Sequence, residues 1–145
     1  MSTDRRPHLD LRLVLLVTAG GRVGTAGRAW LVKAVPTLDG WPTATLVANL
    51  AGSFLLGLLL EALIARGPET NRLRGLRLGL GTGVLGGFTT YSSFAVEMER
   101  LVIAARPGLA AAYAAVSLAG GLAACVAGIW VGGGTLRARG PRGRA

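Results

Sequence analysis

The sequence predicts an all-α membrane protein with four transmembrane helices, the third of them broken at mid-membrane depth. Three observations carry that expectation. Hydrophobic residues make up 51% of the 145 residues and charged residues only 16%, with a mean hydropathy of +0.50. A soluble domain of this size needs more charge to cover its surface. The apolar residues fall into four blocks, each near the roughly 20 residues that a bilayer crossing needs. In the third block, glycines, hydroxyls and aromatics stand where leucines are expected.

Residues 1–11 form a polar, mixed-charge N-terminal tail containing His8, the only histidine. The first apolar block runs from about Leu13 to Val35 and contains Arg22, Arg28 and Lys33, so it is not uniformly lipid-facing. A basic stretch before an apolar run also fits a signal peptide, but three further spans follow and no clear A-x-A cleavage site is present. Pro36, Asp39, Gly40 and Pro42 mark a turn. The second block, about Ala44 to Ala65, carries one ionisable residue, Glu61, near its far end. Residues 66–77 read as a basic connector with Arg66, Arg72, Arg74 and Arg77, opened by Gly67-Pro68.

The third block runs from about Leu78 to Val96, and its middle reads Gly83-Val84-Leu85-Gly86-Gly87-Phe88-Thr89-Thr90-Tyr91-Ser92-Ser93-Phe94. A glycine weakens a helix by about 1 kcal/mol relative to alanine, and Ser and Thr can bond freed backbone groups. Irregular backbone at membrane depth is tolerated only where it is buried in protein or lines a watery path. Glu97, Glu99, Arg100, Arg106 and Pro107-Gly108 read as the next connector, and the uncharged fourth block runs from about Leu109 to Trp130. The transmembrane domain is thus expected over 12–132, with 133–145 a basic, disordered tail.

Net charge is +9, almost all from arginine, and the arginines lie mainly between and outside the apolar blocks. They read as topology signals and headgroup anchors. Without a basic helix face or an aromatic platform, no nucleic-acid partner is expected. With four spans, the N-terminal tail, the 66–77 connector and the C-terminal tail share one side. That side holds Arg5, Arg6, Arg12, Arg66, Arg72, Arg74, Arg77, Arg137, Arg139, Arg142 and Arg144, against Lys33, Arg100 and Arg106 on the other. The arginine-rich side is expected to be cytoplasmic, placing both termini inside. Cys125 is the sole cysteine, which excludes an intramolecular disulfide and a Cys/His metal cluster. With the one histidine in a tail, no nucleophile–base–acid arrangement is visible, and the chain is not expected to be an enzyme.

Four features stand out as candidate site residues: Arg28 late in the first span, Asn49 early in the second, segment 86–94, and Tyr113 with Ser117, which share one face of the fourth helix. Polar groups inside a membrane are costly and tend to face partners or a water path. Each also has an ordinary reading. Asn49 would make an interhelical hydrogen bond worth about 0.6 kcal/mol. Arg28 would snorkel to the interface, Tyr113 would sit in an aromatic belt, and segment 86–94 would serve close packing.

The motifs match one family in order. Gly20-Gly21-Arg22-Val23-Gly24-Thr25-Ala26-Gly27-Arg28, then Thr45-Leu46-Val47-Ala48-Asn49-Leu50-Ala51-Gly52-Ser53-Phe54, then Gly86-Gly87-Phe88-Thr89-Thr90-Tyr91-Ser92-Ser93-Phe94 followed by Glu97, together resemble the CrcB/Fluc family of fluoride channels over nearly all of the chain except its tails. The resemblance implies an antiparallel dimer with two pores, a structural sodium ion at its centre held by carbonyls of Gly86 and Thr89, and fluoride paths along the ring edges of Tyr91 and Phe94. It implies Asn49 as an amide donor to fluoride, Thr90 and Ser92 as neighbouring pore hydroxyls, Tyr113 and Ser117 as a polar track, and Arg28 and Glu97 in supporting or vestibule positions. Tyr91 stands where Phe is usual, Ser93 where Thr is usual, and Gly121 where some members carry a hydroxyl.

The implied function is passive export of cytoplasmic fluoride through the cell membrane, which lowers fluoride toxicity. A small multidrug-type four-helix transporter would need a carboxylate inside the first span, and residues 13–35 contain none. A non-conducting membrane subunit would not need a broken third span. Because the charge asymmetry disfavours dual insertion, the antiparallel partner is expected to be a homologous second chain, with a homodimer as the alternative.

Overall fold

The computed structural model describes residues 10–137. Helix α1, Leu11–Ala34, starts at Asp10, whose carboxylate accepts the Arg12 N–H at 3.0 Å; such a cap satisfies a donor with no partner inside the helix. Helix α2 is Thr43–Ile64. The third stretch is composite. Helix α3, Asn71–Leu76, is capped by the Thr70 hydroxyl on Leu73 N–H at 3.2 Å. It widens into a π-helical segment, Arg77–Leu85, and closes in one turn, α4, Gly86–Phe88. Two extended residues, Thr89 and Thr90, separate it from α5, Tyr91–Ile103. Helix α6 is Pro107–Arg137, with proline at its first position, where a missing N–H does no harm.

The helices overrun the apolar blocks. Residues 71–77, read from sequence as connector, are helical, as are Glu97, Glu99 and Arg100. Helix α6 continues to Arg137, so the first five residues of the expected 133–145 tail belong to it. Arg72, Arg74, Glu97, Glu99 and Arg100 are polar, good helix formers that extend the backbone ladder past the end of the hydrophobic signal. The rest of that tail, and residues 1–9 of the N-terminal tail, lie outside the described residues.

Two pairings build the molecule. Helix α2 packs along α6, where a Cβ on Gly57 would run into the Cys125 carbonyl and one on Gly128 into the Phe54 carbonyl. Helix α1 packs on the π segment and α4, where a Cβ on Gly24 would collide with the Val84 carbonyl and one on Gly87 with the Gly21 carbonyl. Small residues that let backbones approach are how helices associate where lipid removes the hydrophobic drive. The buried cluster is small: Leu101, Ala110 and Tyr113, with Trp41, Leu46, Phe94, Met98 and Leu109 packed against it.

Among the described helices, Thr43–Ile64 and Pro107–Gly134 are long and apolar enough to cross a membrane. Only 22% and 6% of their most apolar windows are buried, unlike the core helix of a soluble domain. Leu118, Leu122 and Trp130 on α6 all face outward. The two ends differ. At one, Arg106 reaches across from the α5–α6 connector and its Nη2 donates to the Asp39 carbonyl at 3.1 Å. At the other, Arg77 pairs with Glu69 at 2.9 Å.

Candidate functional site: a cleft at the broken helix

The break is placed by the two threonines rather than by the glycines. Gly86 and Gly87 remain helical, with φ −64° and ψ −33° at Gly86. Thr89 and Thr90 turn extended, at ψ 159° and 123°. Thr89 N–H makes the last helical bond, to the Leu85 carbonyl, and its Oγ1 donates to the same carbonyl, both at 2.9 Å. The Thr90 Oγ1 starts the next helix, accepting Ser93 N–H at 3.1 Å.

Between those ends the Thr90 backbone has no helical partner, and Asn49 supplies one. Asn49 Nδ2 donates to the Thr90 carbonyl at 3.0 Å, and Thr90 N–H donates to Asn49 Oδ1 at 2.9 Å. The amide therefore stands in for a neighbouring strand. Nδ2 carries two hydrogens, and the second is not needed by Thr90. On the opposite side, Arg28 Nε and Thr25 Oγ1 both donate to the Gly87 carbonyl, at 3.3 and 3.4 Å. The break is thus held from α1 and from α2.

Beside it lies a cleft of about 340 Å³, lined among others by Asn49, Ser53, Gly86, Thr89, Thr90, Tyr91, Phe94 and Ser117. None of its lining residues is charged. The Ser117 hydroxyl is buried and has no hydrogen-bond partner among the described residues. Buried polar atoms are nearly always paired, and a hydroxyl at a cleft can donate to a group held there.

A second polar group sits next to the cleft. Glu97 accepts from Thr45 Oγ1 at 2.6 Å and from Tyr113 OH at 2.7 Å. Tyr113 is fully buried. Its ring lies 5.2 Å from Phe94, which in turn lies 6.0 Å from Tyr91, distances at which aromatic rings attract.

Of the residues the sequence singles out, the structure brings Asn49, Gly86, Thr89, Thr90, Tyr91, Phe94 and Ser117 to one cleft. Tyr113 stands behind Phe94 with its hydroxyl on Glu97. Ser92 opens onto a neighbouring cleft with Ser93, Val96, Glu97 and Arg100. Arg28 bonds backbone and does not line the cleft. The Thr90 hydroxyl is occupied as a cap, within 3.2 Å of both Ser92 Oγ and Ser93 Oγ. Sequence reasoning missed Thr45 and Thr25 as site members. Thr45 lies four residues before Asn49 and Thr25 three before Arg28, helical spacings that put each pair on one face.

Comparison with known proteins agrees with this architecture. The family model described as CrcB-like protein, Camphor Resistance (CrcB), matches residues 15–129. The chain is 51% identical over 125 residues to "Fluoride-specific ion channel FluC 2" of Leifsonia xyli subsp. xyli, covering 86% of each chain. It is 46% identical over 125 residues to "Fluoride-specific ion channel FluC" of Deinococcus radiodurans, covering 83% of this chain and 94% of that one. It is 44% identical over 119 residues to "Fluoride-specific ion channel FluC 1" of Cutibacterium acnes, covering 81% and 80%. The match runs from α1 through α6 and takes in every residue of the cleft, and the chain belongs to the CrcB family.

Proposed function

We propose that the chain is one subunit of a fluoride-selective channel that lets cytoplasmic fluoride leave passively across the cell membrane. The observation that carries this reading is the lining of the cleft: amide and hydroxyl groups and two aromatic rings, with no charged residue among them. A small hard anion asks for hydrogen-bond donors that replace its water. The buried Ser117 hydroxyl, the second Asn49 amide hydrogen and the positive edges of the Tyr91 and Phe94 rings offer them. The relatives' printed names give the same ion.

The physiological logic follows from acid–base chemistry. Hydrogen fluoride is neutral and weakly acidic, so it crosses lipid and dissociates inside, and the trapped anion needs a pore rather than a pump. A proton-coupled four-helix transporter is not favoured, because no carboxylate lines the cleft. The protein is not an enzyme.

Assembly completes the reading. All four helical stretches cross the bilayer, termini in the cytoplasm, and a second subunit packs antiparallel across the broken helix. Tyr91, 80% exposed beside the cleft, is then covered by the mate. The residues present also fit a structural sodium ion. Thr90 N–H goes to Asn49 rather than completing the helical bond to the Gly86 carbonyl, and carbonyls at a helix C-terminus carry negative partial charge. Gly86 and Thr89 would supply such oxygens, and one chain alone offers too few to satisfy a hard cation.

Expression in a bacterium lacking its own fluoride exporter tests the function. The chain, with a homologous partner if needed, should restore growth on fluoride, and Asn49→Ala should not. Absence of rescue by protein present in the membrane would refute it.

A further inference from the structure

Trp41 lies outside the cleft, in the α1–α2 loop, yet its backbone is pinned on both sides. Its N–H donates to the Leu38 carbonyl at 2.8 Å, and its own carbonyl accepts Thr43 N–H at 2.8 Å and Thr43 Oγ1 at 3.1 Å. Pro42 follows, and a residue before proline is driven to extended backbone. The loop in front of it turns through Asp39 and Gly40, both at positive φ, 49° and 83°. Arg106 then ties that turn to the α5–α6 connector through the Asp39 carbonyl. So many constraints on one exposed loop fix where a single side chain points.

That side chain meets Tyr113. The two rings are 6.3 Å apart at 87°, an edge-to-face arrangement of the kind aromatic pairs prefer. Tyr113 is fully buried, donates to Glu97, and backs Phe94 where Phe94 lines the cleft. Trp41, Tyr113, Phe94 and Tyr91 thus form a continuous run of rings from the loop to the cleft.

We propose that Trp41 is a positioning residue for the anion path: seated perpendicular to Tyr113, it holds the phenol on Glu97 and the ring behind Phe94. The proposal rests on the fluoride-channel reading, and its test separates the two. Replacing Trp41 with leucine lets the Tyr113 ring shift. Replacing it with phenylalanine keeps an aromatic partner.

The chain has only two tyrosines, Tyr91 and Tyr113, so protein grown with 3-fluorotyrosine gives two fluorine resonances, assigned through Tyr91→Phe. Trp41→Leu should displace the Tyr113 resonance and leave the Tyr91 resonance in place. In liposomes it should slow fluoride efflux about three- to tenfold, the span that loss of one aromatic pair corresponds to. Trp41→Phe should restore most of both. Where Trp41→Leu does not assemble, Trp41→Met, whose unbranched side chain adapts to the gap without supplying a ring, carries the same readouts. Slowed efflux with the Tyr113 resonance unmoved, unchanged efflux in the leucine variant, or no recovery with phenylalanine would each overturn the proposal. A wild-type protein that carries no fluoride would instead remove the channel reading, while the resonances still report whether Trp41 positions Tyr113.

Discussion

Asn49 serves two ends with one amide. Its oxygen and one of its hydrogens pair the Thr90 backbone, and its other hydrogen is left for a ligand. Asn49→Ala therefore removes a brace as well as a proposed anion contact. Stranding the Thr90 N–H and carbonyl costs about 1–3 kcal/mol for each group that stays buried. Purified Asn49→Ala should thus melt at a lower temperature in detergent and show fluoride efflux greatly slowed or lost. Normal melting with normal efflux would contradict both roles. Phe94→Ile removes a ring edge while keeping apolar bulk, so it should abolish or greatly slow efflux with melting little changed. Tyr91→Phe keeps the ring edge and should still transport; loss of efflux would give the hydroxyl a part in the path. At this scale the sequence was legible where a motif named a residue. It was silent on the second partner of each. Asn49 stood out as a polar residue in an apolar run, but nothing in its surroundings told that it would pair with the backbone of Thr90, because that contact bridges 41 positions.

The third helical stretch shows how local sequence and packing divide the work. Gly86-Gly87 looked like the breaker, yet both remain helical, and the chain leaves the helix at Thr89 and Thr90. Glycine weakens a helix without ending it. What ends this one is the Thr90 N–H, which donates to Asn49 instead of making the next helical bond, together with the Thr90 hydroxyl, which caps the following helix by accepting Ser93 N–H. The glycines do something else, which is to let α1 lie against the π segment and α4. That separates positions that look alike in sequence. A Cβ on Gly24 would collide with the Val84 carbonyl, whereas one on Gly27 would only touch the Phe88 ring at 3.6 Å. Gly24→Ala should therefore lose the monodisperse peak in size exclusion or drop sharply in yield, and Gly27→Ala should purify normally. Equal behaviour of the two would show that close approach of α1 does not hold the broken helix. The extent of each helix was the least legible feature, since hydrophobicity marks where lipid ends rather than where hydrogen bonding ends.

Charge organises the whole molecule. Lys33, Arg100 and Arg106 belong to the end where Arg106 meets Asp39, while Arg66, Arg72, Arg74 and Arg77 gather at the end where Glu69 meets Arg77. The fourfold pattern of apolar blocks and the charge bias were readable from sequence, because each depends only on the order of residue types. What would cover the exposed Tyr91 was not, because nothing in the residue order of one chain specifies it. An arginine-rich end favours the cytoplasm, and an antiparallel pair then calls for a homologous chain inserted the other way. Cysteines introduced at both termini should be shielded from an impermeant thiol reagent in intact cells. A substantial labelled fraction would show dual insertion and make a homodimer sufficient. The claim beneath all of this is that the cleft selects fluoride, and anion efflux from liposomes holding the purified protein tests it most directly. The account predicts rapid fluoride efflux with no imposed proton gradient and chloride efflux at the rate of empty liposomes; equal efflux of the two anions, or fluoride movement only under a proton gradient, would contradict it.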